Sequence, residues 1–282
     1  MRVLPVAASQ SKARASARHL VWSAQLFDFR SVGKARCDRV IDSIFPVTTT
    51  GALADVAPLH VFTTRALSFR GESTAADWAA LSHLVNTPED RIVRVSQVHG
   101  RAVLVVTPGV ALPATVEADA IVCTDPTRAI AVRVADCVPI LLADRHHRVV
   151  SAIHAGWRGT CAGIARATVE AIAELGVPAE DLVATIGPSM GPCCYQVDDT
   201  VRVAFLGITP DAAAWFAEDG PGRWKLDLWR ANADQLVASG LPDASITTMR
   251  ICTGDARDRC WSHRVDGPAA GRMAAAVRLF RS

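Results

Sequence analysis

From about residue 58 the chain carries short β-branched or alternating runs: HVFTTR, RIVRVSQVH, RAVLVVT, DAIVCT, AIAVRVAD and RVVSAIH, bounded by Pro, Gly or Asp signals. Apolar residues at period two predict strands. The period then lengthens. In GTCAGIARATVEAIAELG, the residues Ile164, Ala167, Thr168, Ala171, Ile172 and Leu175 recur at helical spacing, and Gly176 stands just past them as a stop. Beyond this helix, LVATIG predicts a strand and PSMGPCCYQV a turn-rich segment, followed by a helical stretch from about Asp198 interrupted by GITPD. WKLDL predicts a short strand, WRANADQLVASG a helix closed by Gly240, SITTMRICT a strand and GPAAGRMAAAVRLF a terminal helix. Within RVADCVPILLADRHHRVVSAIHAGWRGT, Asp136 and Cys137 end one strand, Asp144 to Arg148 form a turn, and the returning strand brings His154 to the end where Cys137 lies.

Strands and helices are mixed without a repeated unit, which predicts one α/β or α+β domain over residues 58–282 behind a poorly ordered or loosely packed extension, residues 1–57. Half of the 282 residues are hydrophobic, enough for a sizeable core. The formal net charge of +2 contains no long block of one sign, which argues against a nucleic-acid surface and for small-molecule chemistry. No apolar run approaches the roughly 20 residues that span a bilayer, so no membrane partner is expected. Eight scattered cysteines without a secretory signal favour free thiols in a reducing compartment, hence the cytoplasm. The first 27 residues hold Arg2, Lys12, Arg14 and Arg18 but no acidic residue, and read either as a plain extension or as an organellar targeting segment. The number of subunits is open.

Thiolate and imidazole are common zinc ligands, so strand ends bearing Cys or His are the first candidates. His99 closes RVSQVHG, Cys137 follows Asp136, and His154 ends VVSAIH. Each taken alone also reads as a buried thiol or a hydrogen-bonded core histidine, and no CxxC or HExxH decides between the readings. His146 and His147, between Arg145 and Arg148, read as a solvated turn. In HAGWRGT two glycines flank Trp157 and Arg158 where a strand gives way to a helix, making Arg158 a candidate anion contact. Arg264, in CWSHRVDG, is another. Cys193 and Cys194 in CCYQV read as two thiols beside a turn, since adjacent cysteines rarely place both sulfurs on one ion, and Cys252 and Cys260 read likewise as plain thiols.

The motifs FTTR, QVHG, VADCVPILLAD, AIHAGWRGT, IGPSMGPCCYQV, KLDL, CT and WSHRVDGPAAGRM, in this order from about residue 60 to the C terminus, resemble the polyphenol oxidase or laccase-domain family, also called peptidoglycan editing factor or purine nucleoside phosphorylase. The resemblance implies a single-domain α-β-β-α layered sandwich with mixed sheets, and zinc held by His99, Cys137 and His154. It implies phosphorolysis of adenosine, inosine, guanosine and methylthioadenosine, deamination of adenosine, and a link to peptidoglycan precursor editing. The implied partners are purine nucleosides and phosphate. One departure stands out: ALSFRGESTAADWAALSHL after Arg65 is shorter than the family's loop and lacks its SLN-like stretch.

Three protein ligands leave zinc an open position, which suits deamination with Cys137 in the catalytic centre. Phosphorolysis needs phosphate beside the ribose, with Arg158 as a catalytic contact and Arg65 and Arg264 as substrate-binding candidates. Asp136 is a candidate for orienting a ligand. Copper is a weaker expectation than zinc, because a multicopper oxidase needs about ten histidines, typically in H-x-H pairs, and this chain has eight and no such pair. Two other classes stay open: a hydrolase or deamidase with Cys137 as nucleophile and His154 as base, and a non-catalytic, metal-stabilised partner protein.

Overall fold

The computed structural model describes residues 43–45, 52–57, 59–71 and 74–280. The expectations for residues 1–27, a plain extension or a targeting segment, and most of those for residues 1–57 lie outside the described residues. A six-stranded sheet forms the middle of the molecule. It runs in the order β12 (Ile246–Thr248), β8 (Leu182–Ile186), β6 (Val138–Asp144), β7 (Val150–Ala155), β4 (Ala120–Cys123) and β3 (Val103–Val106). Its two outer pairs are parallel and its inner pairs antiparallel. A second sheet orders β1 (His60–Phe62), β13 (Met273–Arg278), β5 (Ala129–Val134) and β2 (Ile92–Val93), parallel only between β2 and β5.

Side chains alternate across the large sheet because successive residues of a strand point to opposite faces. Ala120, Val122, Ile140, Leu142, Ile153 and Ala184 join one core, while Ile121, Cys123, Leu141, Ala143, Ala152 and Val183 join the other. The first core is closed by helices α4 (Ile164–Glu174) and α6 (Leu228–Ala238), through Ile164, Val169, Ile172, Trp229 and Leu236. The second lies between the sheets, where Ile130, Val132, Met273, Ala275 and Val277 meet the large sheet's residues, and Phe45 and Leu53, the latter in α1 (Ala52–Val56), are buried with them. On the small sheet's far face Ala129, Ala131, Ala274 and Ala276 are buried too. Helix α2 (Ala75–Leu84) buries Trp78, Leu81 and Leu84 and leads through Glu89–Arg91 into β2. The layers therefore run helix, sheet, sheet, helix, the α/β sandwich that the motifs imply. A small antiparallel sheet of β9 (Gln196–Asp198), β11 (Arg223–Leu226) and β10 (Phe216–Glu218) adjoins helix α5 (Asp199–Leu206).

Several elements differ from the sequence pattern, three of them in the main layers. The terminal segment is not a helix but the strand β13, inserted between β1 and β5. Three consecutive alanines favour a helix in isolation, yet there they are the residues small enough to be buried on both faces of a central strand, so packing overrides propensity. The single helix predicted after His154 is two, α3 (Trp157–Cys161) and α4, because Gly163 takes a left-handed conformation at φ 79° between them. Its buried face includes Ala165 and Val169, while Leu175 is exposed. The RIVRVSQVH run pairs as a ladder only over Ile92–Val93, and its remainder turns into a loop carrying His99.

Candidate metal centre

Between Ala135 and Cys137 the chain passes from the small sheet to the large one, placing Cys137 at the mouth of β6. The β6–β7 hairpin pairs Val138 with Ala155 and Pro139 with His154, so the imidazole arrives beside the thiol as the hairpin pattern predicts. His99 comes from the loop between β2 and β3 and holds a left-handed backbone, φ 61°. The ligand atoms of His99, Cys137 and His154 lie within 4.8 Å of one another, and the two imidazole rings meet edge to face at 4.8 Å.

Asp119, fully buried before β4, organises this arrangement. Its Oδ1 lies 2.8 Å from Nδ1 of His154 and accepts the backbone N–H of His99 at 2.9 Å. Its Oδ2 accepts the N–H groups of Gly100 at 2.6 Å and Val98 at 3.3 Å. With Nδ1 committed to the carboxylate, Nε2 of His154 faces the thiol, the carboxylate–histidine arrangement that orients metal ligands. Sequence reasoning missed Asp119, and the carboxylate that orients the His154 ring is this residue rather than Asp136. Asp136 instead accepts the Thr253 hydroxyl at 2.6 Å and the Arg264 N–H at 2.7 Å.

The electrostatics follow from this packing. Burial alone pushes the Asp119 carboxyl up, but hydrogen bonds from His154 and the Gly100 and His99 N–H groups outweigh it and hold the pKa below the usual carboxylate value. Burial likewise opposes a charged Cys137, yet His154 and then His99 bring its pKa down to about 6. Burial opposes a charged His154, while hydrogen bonds to Asp119 and Cys137 raise it to about 9. Both shifts run in the direction that favours a thiolate beside an imidazolium. Gly156 completes the pocket, because an added Cβ would stand 2.9 Å from the Cys137 Sγ and 3.2 Å from the His99 Cδ2.

The candidate arginines are dispersed around this centre. Arg158 is exposed on α3 and stacks over Trp157 at 4.4 Å. Arg264 stacks over Tyr195 at 5.5 Å and donates to the Gln196 carbonyl at 3.1 Å. The backbone N–H of Arg264 on Asp136 brings that residue beside Cys137, and burial raises the hydroxyl pKa of Tyr195 under its guanidinium. Arg65 contacts Trp261, at 4.2 Å, and the Arg257 carbonyl instead. Arg272 was missed: it is half-buried, senses Cys137 and Asp136, and has its pKa lowered by burial and then by the neighbouring Arg70. Gln97 of QVHG brackets β5, exchanging hydrogen bonds with the Arg133 backbone at 2.8 and 2.9 Å.

Cys193, Cys194 and Cys252 are free thiols, the first two on a turn as the sequence suggests, and with Asp255 they form a second set of donors within 4.8 Å of one another. Cys260 is buried and free. The DRHHR turn is as expected in position, and Arg148 there bridges Asp144 and Asp181 at 2.7 and 2.6 Å. Among the described residues no helix is long and apolar enough to cross a membrane.

A protein of Bacteroides thetaiotaomicron named purine nucleoside phosphorylase is 36% identical over 165 residues, 58% of this chain and 61% of that one. Purine nucleoside phosphorylase YlmD of Geobacillus stearothermophilus is 34% identical over 236 residues, 78% of this chain and 81% of the relative. The crystal structure of YlmD from the same organism superposes with a TM-score of 0.72 at 29% identity, covering 79% of this chain and 92% of that one. Residues 70–280 match the family described as multi-copper polyphenol oxidoreductase laccase, and the chain belongs to that family.

Proposed function

We propose that the protein is a zinc-dependent purine nucleoside phosphorylase that also deaminates adenosine. The observation that carries this reading is the convergence of His99, Cys137 and His154, with His154 oriented by buried Asp119. Two nitrogens and one sulfur suit zinc, and three ligands leave one position open. When bound, the ion supplies Lewis acidity at that position. The names of the Bacteroides and Geobacillus relatives support the nucleoside and phosphate substrates.

In this reading Arg158 and Arg264 hold phosphate, because the Arg264 N–H bonds Asp136, the neighbour of Cys137, and Arg158 follows two residues after Gly156, which packs against the Cys137 thiol. Arg65 positions the substrate wall through Trp261. Phosphorolysis exchanges the base of the nucleoside for phosphate at the ribose C1′; deamination exchanges the C6 amine of adenosine for the oxygen of water, releasing ammonia. The described cysteines are all free, which supports a reducing compartment such as the cytoplasm.

A second reading has its own support, since Asp119, His154 and Cys137 are linked in series like a cysteine hydrolase triad. His99 argues against it: a second imidazole on the same sulfur is surplus to a triad and completes a chelate. Purified protein assayed with adenosine, with and without phosphate, is expected to release adenine only with phosphate and inosine in both cases. Both products are expected to vanish on chelation and in His99→Ala and Cys137→Ala. Release of neither product by the wild type sinks the reading. Activity that survives chelation but not alkylation of Cys137 selects the hydrolase.

A further inference from the structure

The second donor set lies in two turns. Gly191 to Cys194 turns tightly, with the Cys194 and Tyr195 N–H groups donating to the Gly191 carbonyl at 3.0 and 2.9 Å. Cys252 starts the other turn, in which Asp255 and Ala256 donate to its carbonyl at 3.2 and 2.9 Å. A bridge between Ser189 and Cys252 fixes the two segments side by side, and the Gly191 N–H points at the Cys252 Sγ at 3.3 Å.

This backbone removes the objection to adjacent cysteines. Their sulfurs diverge enough for each to reach a different oxygen of one carboxylate: Cys193 donates to Asp255 Oδ2 and Cys194 to Oδ1, both at 3.0 Å. Cys252, buried, stands behind them, and all three thiols are free. Zinc–sulfur bonds of about 2.3 Å set tetrahedral edges of roughly 3.8 Å. Four donors already within 4.8 Å of one another need only small side-chain rotations to reach that geometry.

We propose that Cys193, Cys194, Cys252 and Asp255 form a second metal site, one that binds zinc with four protein ligands and no open position. Binding converts three thiols to thiolates and releases their three protons, while Asp255 is already a carboxylate. A closed, sulfur-rich set is structural rather than catalytic. Its place in the fold shows what it braces: Thr253, next to Cys252, holds Asp136 beside Cys137, and Tyr195, next to Cys194, carries Arg264 on its ring. The ion staples together the two turns that form this wall of the first centre.

Metal analysis of the full-length protein, purified with reductant and loaded with zinc, tests the proposal independently of any activity. Wild type is expected to hold a second equivalent of zinc that is lost in Cys193→Ser and in Asp255→Asn, whereas His99→Ala loses only the first. Cobalt loaded into His99→Ala should show strong sulfur-to-cobalt charge-transfer absorption that fades in the added Cys193→Ser background. Both Cys193 and Asp255 are exposed, so these variants spare the core. Should they still misfold, wild type decides: zinc must protect Cys193 from iodoacetamide, and a chelator must restore its reactivity. A single equivalent indifferent to Cys193→Ser overturns the proposal. So does a mass two hydrogens light without reductant, which would make the pair a disulfide.

Discussion

The two donor clusters of this chain use the same elements in opposite ways. His99, Cys137 and His154 are delivered by a hairpin and a sheet crossover and are locked from behind by Asp119, which is inaccessible to solvent. Cys193, Cys194, Cys252 and Asp255 sit on two turns whose carboxylate faces water. The first is preorganised by the core, so its geometry exists before any ion arrives. The second is held by its own donors and by one bridge, so an ion bound there organises the protein. A supporting shell fixed by packing suits chemistry, and a set of ligands that spans two loops suits a staple.

The largest expected effect separates the two carboxylates. Replacing Asp119 with Ala removes the buried carboxylate that accepts the N–H groups of Val98, His99 and Gly100 and strands the buried His154 ring. Breaking a buried pair of this kind costs about 3–5 kcal/mol. The gentler Asp119→Asn is expected to weaken metal at the first centre roughly 10–100-fold. Asp255→Asn in metal-free protein should leave the urea midpoint unchanged. Equal destabilisation by Asp119→Ala and Asp255→Ala would erase the distinction between a core-built and a ligand-built cluster.

Protons sharpen the comparison next. A metal displaces protons from its ligands, so affinity rises with pH by roughly tenfold per unit for each proton released. At the first centre Cys137, lowered to about 6, is already thiolate at pH 7.5, while His154, raised to about 9, must give up its proton. The slope expected from that pair is about tenfold per unit. At the second, burial and then Asp255 raise Cys194 to about 11 and push Cys193 up as well, so both thiols are protonated and both protons must leave. Affinity there should climb at least roughly a hundredfold per unit between pH 7 and 8. Zinc titrations against a competing chelator in Cys193→Ser and in His99→Ala read the two sites separately, and equal slopes would contradict these charge states.

What the sequence made legible follows the same division. Strands buried on both faces announce themselves as apolar runs, and the turn at Asp144 to Arg148 fixes the hairpin, so the meeting of Cys137 and His154 can be read locally. Asp119 has no such signal: in EADAIV it is one carboxylate among alanines, and its partners lie 20 and 35 residues away. The second cluster has no local signal either, because the pairing of Cys193 and Cys194 with Asp255 depends on a contact across some sixty residues. The C-terminal strand failed for another reason, since the alanines that fit the crowded centre of a sheet are also the best helix formers.

Glycines offer the finest probe of the difference. Gly156 has an ordinary backbone, φ −70° and ψ 170°, so alanine there is opposed only by space. Its Cβ would stand 2.9 Å from the Cys137 Sγ and 3.2 Å from His99, and Cys137 cannot retreat without parting from the two imidazoles. Gly254 is matched closely in distance: a Cβ would meet the Cβ and Sγ of Cys194 at 3.0 Å and the Met190 Sδ at 3.1 Å. There the neighbours can yield, one being a flexible thioether and the other a side chain on a turn. Gly156→Ala is therefore expected to cost about 1–3 kcal/mol and to displace metal from the first centre. Gly254→Ala should cost less and disturb only the second. Paired denaturation curves and metal contents read both effects, and a Gly254→Ala penalty as large as that of Gly156→Ala would mean the turns are as rigid as the strands.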